Sequence, residues 1–436
     1  MESLYDVAII GGGPAGSTAA TFLARLNRKV IILEKDKFPR FHIGESLLPY
    51  SMGAFERLGI REKMDAQFQP KHGGEITSSC GAGSAKFYFK NGFRLQHHQA
   101  YQVTRSEFDK MMLDLAAAGG AEVLQETSVE SLEFGDEDVG VTFRNNGINR
   151  NLRARYILDC SGRSTVIGNF FQLKRGYANL KKFSVFAHYE NVAREEGIDG
   201  TLIRLVRASD RWFWMIPLNP TKMSVGMVMD IANYKAMKKS PEEALEESLR
   251  GQPAIWNRMT RSERVTPFYS AGDYSYRNTS LAGDRWLLAG DAAGFIDPIF
   301  STGVYLAIRS GEDAANTLDT VLKDPNRRPV LFRKYERGLN RVMKMYLRFV
   351  TNWYKPQFIE VITHPAQRFQ LAPAVNAVLA GNISGSFAIW WRMQLFYLVV
   401  FLQRYIPLCP RLSLVPENSA PAPSVTLGEP GHNPAI

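Results

Sequence analysis

Cysteine is scarce in this chain: Cys80, Cys160 and Cys409 are the only three in 436 residues. They are far apart, odd in number and without metal-ligand spacing. That excludes a disulfide framework or a zinc knuckle and points to a reducing compartment. The adjacent pair His97-His98 does not make a metal site either, because neighbours on a strand point to opposite faces. Long apolar runs are missing. The longest, from Met393 to Leu402, lies between Arg392 and Arg404 and is half of the roughly twenty residues a membrane span needs. The first residues, MESLYDVAIIGGGPAG, lack the basic stretch and small-residue cleavage site of a signal peptide, so a cytoplasmic location is expected. Blocks of like charge are also absent. The net charge is +10, but its lysines and arginines are scattered. This argues against nucleic acid and suits an anionic cofactor or an acidic carrier partner.

What is present is ordinary globular material, 45% hydrophobic and 22% charged, without repeats. YDVAII reads as a buried strand. It stops at GGGPAG, a helical pattern follows through STAATFLARLNR, and KVIILE forms a second strand. That order is a βαβ unit with parallel strands. Between about 175 and 275, the segments FSVFAHYE, TLIRLVR, RWFWMIPL and KMSVGMVMD alternate like strands of an antiparallel sheet. RWLLAGDAAG returns to strand, turn and helix. Residues 328–409 are mostly helical, and the Pro-, Ser- and Gly-rich end from 410 to 436 is expected to be a flexible or surface-draped tail.

Gly11, Gly13 and Gly16 form a G-x-G-x-x-G turn that closes a strand and, through Pro14 and Ala15, opens a helix. Gly11 allows the tight turn, Gly13 a close approach to a pyrophosphate, and Gly16 the helix–strand packing. Glu34, followed by Lys35, ends the next strand, where a carboxylate accepts from ribose hydroxyls. Asp159 and Gly162 end one later strand, and Gly290 and Asp291 end another. Aspartates leading into helices there can serve a ribitol and a pyrophosphate. Arg105 adds a cation for the same phosphates. This ensemble selects FAD and resembles the aromatic-hydroxylase-like FAD enzymes.

Within that group the chain resembles the flavin-dependent halogenases. FPRFHIGES, which carries Arg40, Ile43, Gly44, Glu45 and Ser46, is similar to the family's segment after the second strand. FIDPIFSTG, with Pro298, Ser301, Thr302 and Gly303, matches its FxxPxxSxG motif. Trp212-Phe213-Trp214 with Ile216-Pro217 matches WxWxIP, although Arg211 replaces the usual leading glycine. Lys71, in QPKHGGE, stands where the family has its essential lysine. The resemblance covers about residues 1–410.

The resemblance implies an α/β architecture: a Rossmann-like FAD domain (1–75, 100–170 and 275–327), an inserted antiparallel β-sheet substrate domain (76–99 and 171–274) and a C-terminal helical region. It implies that reduced FAD from a separate flavin reductase, oxygen, and chloride or bromide give hypohalous acid, which is relayed to Lys71. Halide would sit at Ser301, Thr302 and Gly303, where helix N–H groups face an anion. Trp212 and Trp214 would separate flavin from substrate, or simply pack a core. Phe300 stands where tryptophan-specific relatives carry a glutamate, so the resemblance is to phenol- and pyrrole-type enzymes. Their substrate would be an electron-rich ring, free or carrier-bound. Glu75, His97, His98 and Tyr101 are candidates for a general base, each with a structural or exposed reading beside it. The C-terminal aromatic helices read as core or lid, with docking on a membrane or carrier as the alternative. A FAD monooxygenase or geranylgeranyl-reductase-like oxidoreductase, and a non-catalytic FAD-binding protein, remain as competing readings.

Overall fold

A computed structural model describes residues 4–272, 274–365, 368–382, 386–415 and 425–427. Two sheets organise the fold. The first has eight strands and a parallel centre. Leu4–Ile10 lies between Ile148–Asp159 and Val30–Leu33, parallel to both. Trp286–Leu288 and Glu122–Leu124 extend the parallel set on either side. The central strands are apolar on both faces, and Val30–Leu33 is buried throughout. That is what a parallel sheet covered by helices on both sides requires.

Small residues set the spacing on one face. Helix Pro14–Arg25 starts with proline, whose missing N–H costs nothing at a helix start, and continues through AGSTAA. It packs against helix Thr302–Lys323 so closely that a Cβ on Gly311 would lie 2.4 Å from the Ala15 carbonyl oxygen. The two helices run in the same direction: Ala15 meets Gly311, and Arg28, just past the first helix, bonds Asp319 near the end of the second.

The second sheet has nine strands and is mainly antiparallel. Lys182–Glu190, Lys222–Asp230, Arg211–Pro217 and Ile203–Arg207 are paired in that order. Gly73–Ser78 joins parallel to the last of these, and Ser84–Tyr88 follows. Period-two alternation sorts its side chains. Phe183, Val185 and Ala187 face a core made with helices Pro241–Arg250 and Pro253–Met259. Phe186, Trp212 and Trp214 face the core shared with helices Arg105–Ala118 and Thr302–Lys323 and the C-terminal helices.

After residue 410 the described residues run along the second sheet. The Leu414 carbonyl accepts hydrogen bonds from Ser79 Oγ at 2.5 Å and Ser209 N–H at 3.0 Å, and its side chain is buried. Val425–Leu427 adds a parallel edge strand to Ser84–Tyr88. Unpaired strand edges recruit backbone, and this one takes its own C-terminal segment. The rest of the expected tail, 416–424 and 428–436, lies outside the described residues. Among the described residues no helix is long and apolar enough to cross a membrane.

Candidate active site

The glycine turn shows which glycines the fold needs and which it leaves open. Gly11 has φ +101°, and a Cβ there would lie 2.5 Å from the Cys160 carbonyl oxygen. A Cβ on Gly16 would lie 2.0 Å from the Gly11 carbonyl oxygen. These two serve the protein's own packing. At Gly13, the N-cap of the first helix, a Cβ would meet only the Arg40 guanidinium, at 3.6 Å. The space above the helix N-terminus is therefore open, with N–H groups facing it, as a pyrophosphate requires. Glu34 braces the turn, accepting from Gly12 N–H at 2.6 Å and Asp36 N–H at 2.8 Å. Lys35 is exposed beside it.

The loop from Arg40 to Ser46 is held by buried charge. Asp109 accepts from Arg105 at 2.7 and 2.8 Å and from Arg40 Nη1 at 3.0 Å. Arg105 also donates to the Ile43 carbonyl at 2.6 Å. These two cations hold the Asp109 carboxyl below its usual range despite complete burial. Arg105 thus holds the loop directly at Ile43 and, through Asp109, at Arg40.

Asp159 is held by its own turn. It is fully buried, and its two oxygens accept the N–H groups of Ser161 at 2.9 Å and Ile167 at 2.8 Å. It caps the turn through Gly162. Asp291, after Gly290, has no such partners, and burial pushes its carboxyl up to about 6.

Lys71 is placed by a small backbone clamp. Gln69–Lys71 pairs with Ala100–Gln102. Beyond it, Leu47 N–H donates to the Tyr101 carbonyl and Val103 N–H to the Glu45 carbonyl. The lysine is 2% exposed, donates to the Leu47 carbonyl oxygen at 3.0 Å and has its nitrogen 5.4 Å from the centre of the Phe89 ring. Burial without a carboxylate partner pushes its amine down to about 7. Around this clamp, Glu45 Oε2, Ser46 Oγ and both amide atoms of Gln102 are buried with no protein partner. Such groups are costly unless something polar arrives to meet them. They fit a bound FAD, whose ring edge is rich in donors and acceptors.

The 295–303 turn closes the site. Ser301 has φ +56°, and Thr302 and Gly303 open the long helix Thr302–Lys323. A cavity of about 20 Å³, lined by Asp291, Phe295, Asp297, Thr302 and Gly303 among others, lies against this N-terminus. That volume suits one water-sized guest. A Cβ on Gly303 would meet only the Phe295 ring at 3.8 Å, so the fold itself does not demand glycine there. Pro298 begins the short turn before it, capped by Asp297, which accepts Ile299 N–H at 3.0 Å.

Trp212 and Trp214 stand two residues apart on one strand face, ring centres 5.8 Å apart. Trp212 Nε1 donates to the Tyr354 hydroxyl at 3.2 Å, and that hydroxyl donates to Asp297 Oδ2 at 2.7 Å. Phe300 packs on Phe349 and Trp353 within the same aromatic cluster. The wall is apolar, and the chain from tryptophan to tyrosine to aspartate ties it to the 295–303 turn.

None of the four proposed bases points into this site. Glu75 pairs with Arg204 and accepts from Ser84 within the second sheet. Tyr101 donates outward to Asp65 at 2.6 Å, His97 lies 3.7 Å from Glu56, and His98 contacts the Leu95 carbonyl. The residue that sequence reasoning missed is His188, whose Nε2 is 2.6 Å from Glu45 Oε1, both buried. Its only sequence signal was its position on the inward face of an alternating strand. Among the described residues no His, Cys, Asp and Glu cluster could hold a metal ion.

Residues 4–350 match the FAD binding domain family. The chain is 31% identical, over 80% of its length and 84% of the relative's, to the 1H-pyrrole-2-carbonyl-[peptidyl-carrier protein] chlorinase of Pseudomonas fluorescens. The chain belongs to the flavin-dependent halogenases. This halogenase is also 33% identical, over 72% of its length and 77% of the relative's, to the corresponding brominase of Pseudoalteromonas luteoviolacea. Its fold superposes on the flavin-dependent brominase Bmp2 with a TM-score of 0.82, 28% identity and coverage of 92% and 100% of the two chains. The halogenase is thus an FAD-dependent oxidoreductase that uses halide.

Proposed function

We propose that this halogenase chlorinates or brominates an electron-rich aromatic ring, of pyrrole or phenol type, presented as an acyl group on a carrier protein. Lys71 is proposed as the group that carries the halogen to the ring. The observation that supports this reading most is the lysine itself: buried, without a counter-ion, and beside three residues with unpartnered polar atoms. Bound in its reduced form, delivered by a separate flavin reductase, FAD would supply two electrons to dioxygen, and the oxygen so activated would take two more from halide to give hypohalous acid and water.

The chain's residues do the rest. The N–H groups at Thr302 and Gly303 bind halide at the positive end of the helix. The wall of Trp212, Trp214 and Phe300 excludes water. With its amine near neutrality, a large fraction of Lys71 offers a free lone pair. Attack on hypohalous acid forms the N–halogen bond, breaks the O–halogen bond and releases water with one amine proton. Attack by the ring then forms the carbon–halogen bond and breaks the N–halogen bond. The displaced ring proton restores the amine. Phe300 provides no carboxylate to steady a cationic ring, so the ring must be activated by its own heteroatom.

The test is a reaction of the purified enzyme with FAD, a flavin reductase, NADH, oxygen and bromide. The substrates are pyrrole-2-carbonyl on a peptidyl carrier protein, and free phenols, pyrroles and indoles. A bromine isotope doublet replacing hydrogen on the loaded carrier supports the proposal. Bromination of free rings alone removes the carrier from it. A gain of one oxygen favours the monooxygenase reading.

A further inference from the structure

We propose that the outer face of helix Phe387–Leu402 and the turn after it form the docking surface for the acidic carrier protein that presents the ring. This inference rests on the carrier-bound reading above. The helix buries one face through Ile389, Met393, Phe396 and Val400. Its other face is also apolar. Phe387, Trp390, Phe401 and, past the helix end, Tyr405, Ile406 and Leu408 are each more than half exposed. Phe387, Trp390, Gln394, Leu398, Phe401 and Tyr405 follow one another at intervals of three or four, so they form a single stripe. Exposed apolar stripes of this length mark interaction sites.

Charge identifies the occupant. From residue 361 to residue 416 the chain contains no Asp, no Glu and no Lys, and four arginines: Arg368, Arg392, Arg404 and Arg411. Arg348, from the neighbouring helix, adds a fifth, lying 3.9 Å over the Tyr397 ring and donating to Gln394 at 2.7 Å. A second copy of the chain meeting this face symmetrically would set arginine against arginine with no acid between them. The partner must therefore be anionic. Aromatic residues with arginine, and depletion of Lys, Asp and Glu, are the signature of protein interfaces. An anionic lipid surface attracts lysine as well as arginine and gives no reason for lysine to be missing.

The position suits delivery to Lys71. Phe89, against the Lys71 amine, begins the turn Phe89–Asn91. Helix Leu371–Leu379 packs on that turn: Asn376 Nδ2 donates to the Tyr88 carbonyl at 2.6 Å, and Phe93 N–H donates to the Pro373 carbonyl at 2.9 Å. Arg392, from the docking helix, stacks on Phe93 at 4.5 Å. One short loop thus separates the docking helix from the residue that contacts the lysine.

The test compares wild type with two double variants, Trp390→Ser/Phe401→Ser and Arg404→Glu/Arg411→Glu. Each is assayed on pyrrole-2-carbonyl carrier protein and on the same acyl group as a free pantetheine thioester. The expected result is a KM for the loaded carrier raised at least about tenfold in both variants. Their kcat, melting temperature and rate on the free thioester should match wild type. An unchanged KM for the carrier overturns the docking surface. A wild type that brominates neither form overturns the tethered-pyrrole reading itself. One that brominates only the free thioester overturns the carrier as partner. Binding of wild type, but not the variants, to phosphatidylserine vesicles with an unchanged carrier KM reassigns the face to lipid.

Discussion

Lys71 Nζ donates to the Leu47 carbonyl oxygen at 3.0 Å, and no carboxylate accompanies it in its buried position. A cation held only by a carbonyl and an aromatic ring is poorly compensated. The amine is correspondingly easy to deprotonate, and its burial is an expense the fold carries for the chemistry.

That expense is measurable. The amine falls from 10.5 when free to about 7 in the folded chain. Between these values the unfolded chain holds a proton that the folded chain has released, so stability rises with pH from about 7 to about 10.5. Below about 7 the folded chain carries the full penalty. Lys71→Met should remove that rise, making the variant more stable than wild type at neutral pH by up to roughly 5 kcal/mol. Denaturant unfolding from pH 7 to 10 measures it, and parallel curves for the two proteins would sink the argument.

The glycine turn makes a paired prediction. Gly16→Ala places its Cβ 2.0 Å from a backbone oxygen and should prevent folding or lower the melting temperature strongly. Gly13→Ala meets nothing closer than 3.6 Å and should fold normally. It should still lose at least about tenfold in FAD affinity, because the methyl occupies the path of the pyrophosphate. Flavin fluorescence titration with thermal melting separates the two.

At the other helix N-terminus, Gly303→Ala should leave stability unchanged or slightly raised, since the methyl only touches Phe295. The halide KM should rise at least about tenfold if anion and methyl compete for the same N–H groups. A KM equal to wild type moves the halide elsewhere.

Two carboxyls share that cavity, and burial pushes both Asp291 and Asp297 up to about 6. Above about 6 they become anions beside the halide site, so the halide KM should increase as pH rises through this range. Asp297→Asn keeps the cap on Ile299 and should flatten part of that increase. A halide KM independent of pH from 5 to 8 would refute the placement.

Much of this site was legible because its parts are local in sequence. Gly11, Gly13 and Gly16 declare their geometry within a few residues. The turn of Ser301, Thr302 and Gly303, the tryptophan pair and Lys71 were legible through resemblance; nothing in QPKHGGE announces that the 45–47 and 101–103 backbones will enclose the lysine. Partners distant in the chain were the ones missed. His188 meets Glu45 across 143 positions, and Tyr354 meets Asp297 across 57. Asp159 shows the opposite case: its partners, Ser161 and Ile167, lie close to it in the chain. Glu75 lay close to Lys71 in sequence, yet strand alternation and Arg204 drew it into the second sheet.

The most direct measurement is Lys71→Ala, assayed at once for oxygen consumption, reduced-flavin oxidation and halogenated product. The variant should consume oxygen and reduced flavin within about twofold of wild type, while product falls by about a thousandfold or more. Product formation at the wild-type rate would contradict the account, because the halogen would then reach the ring without the buried amine.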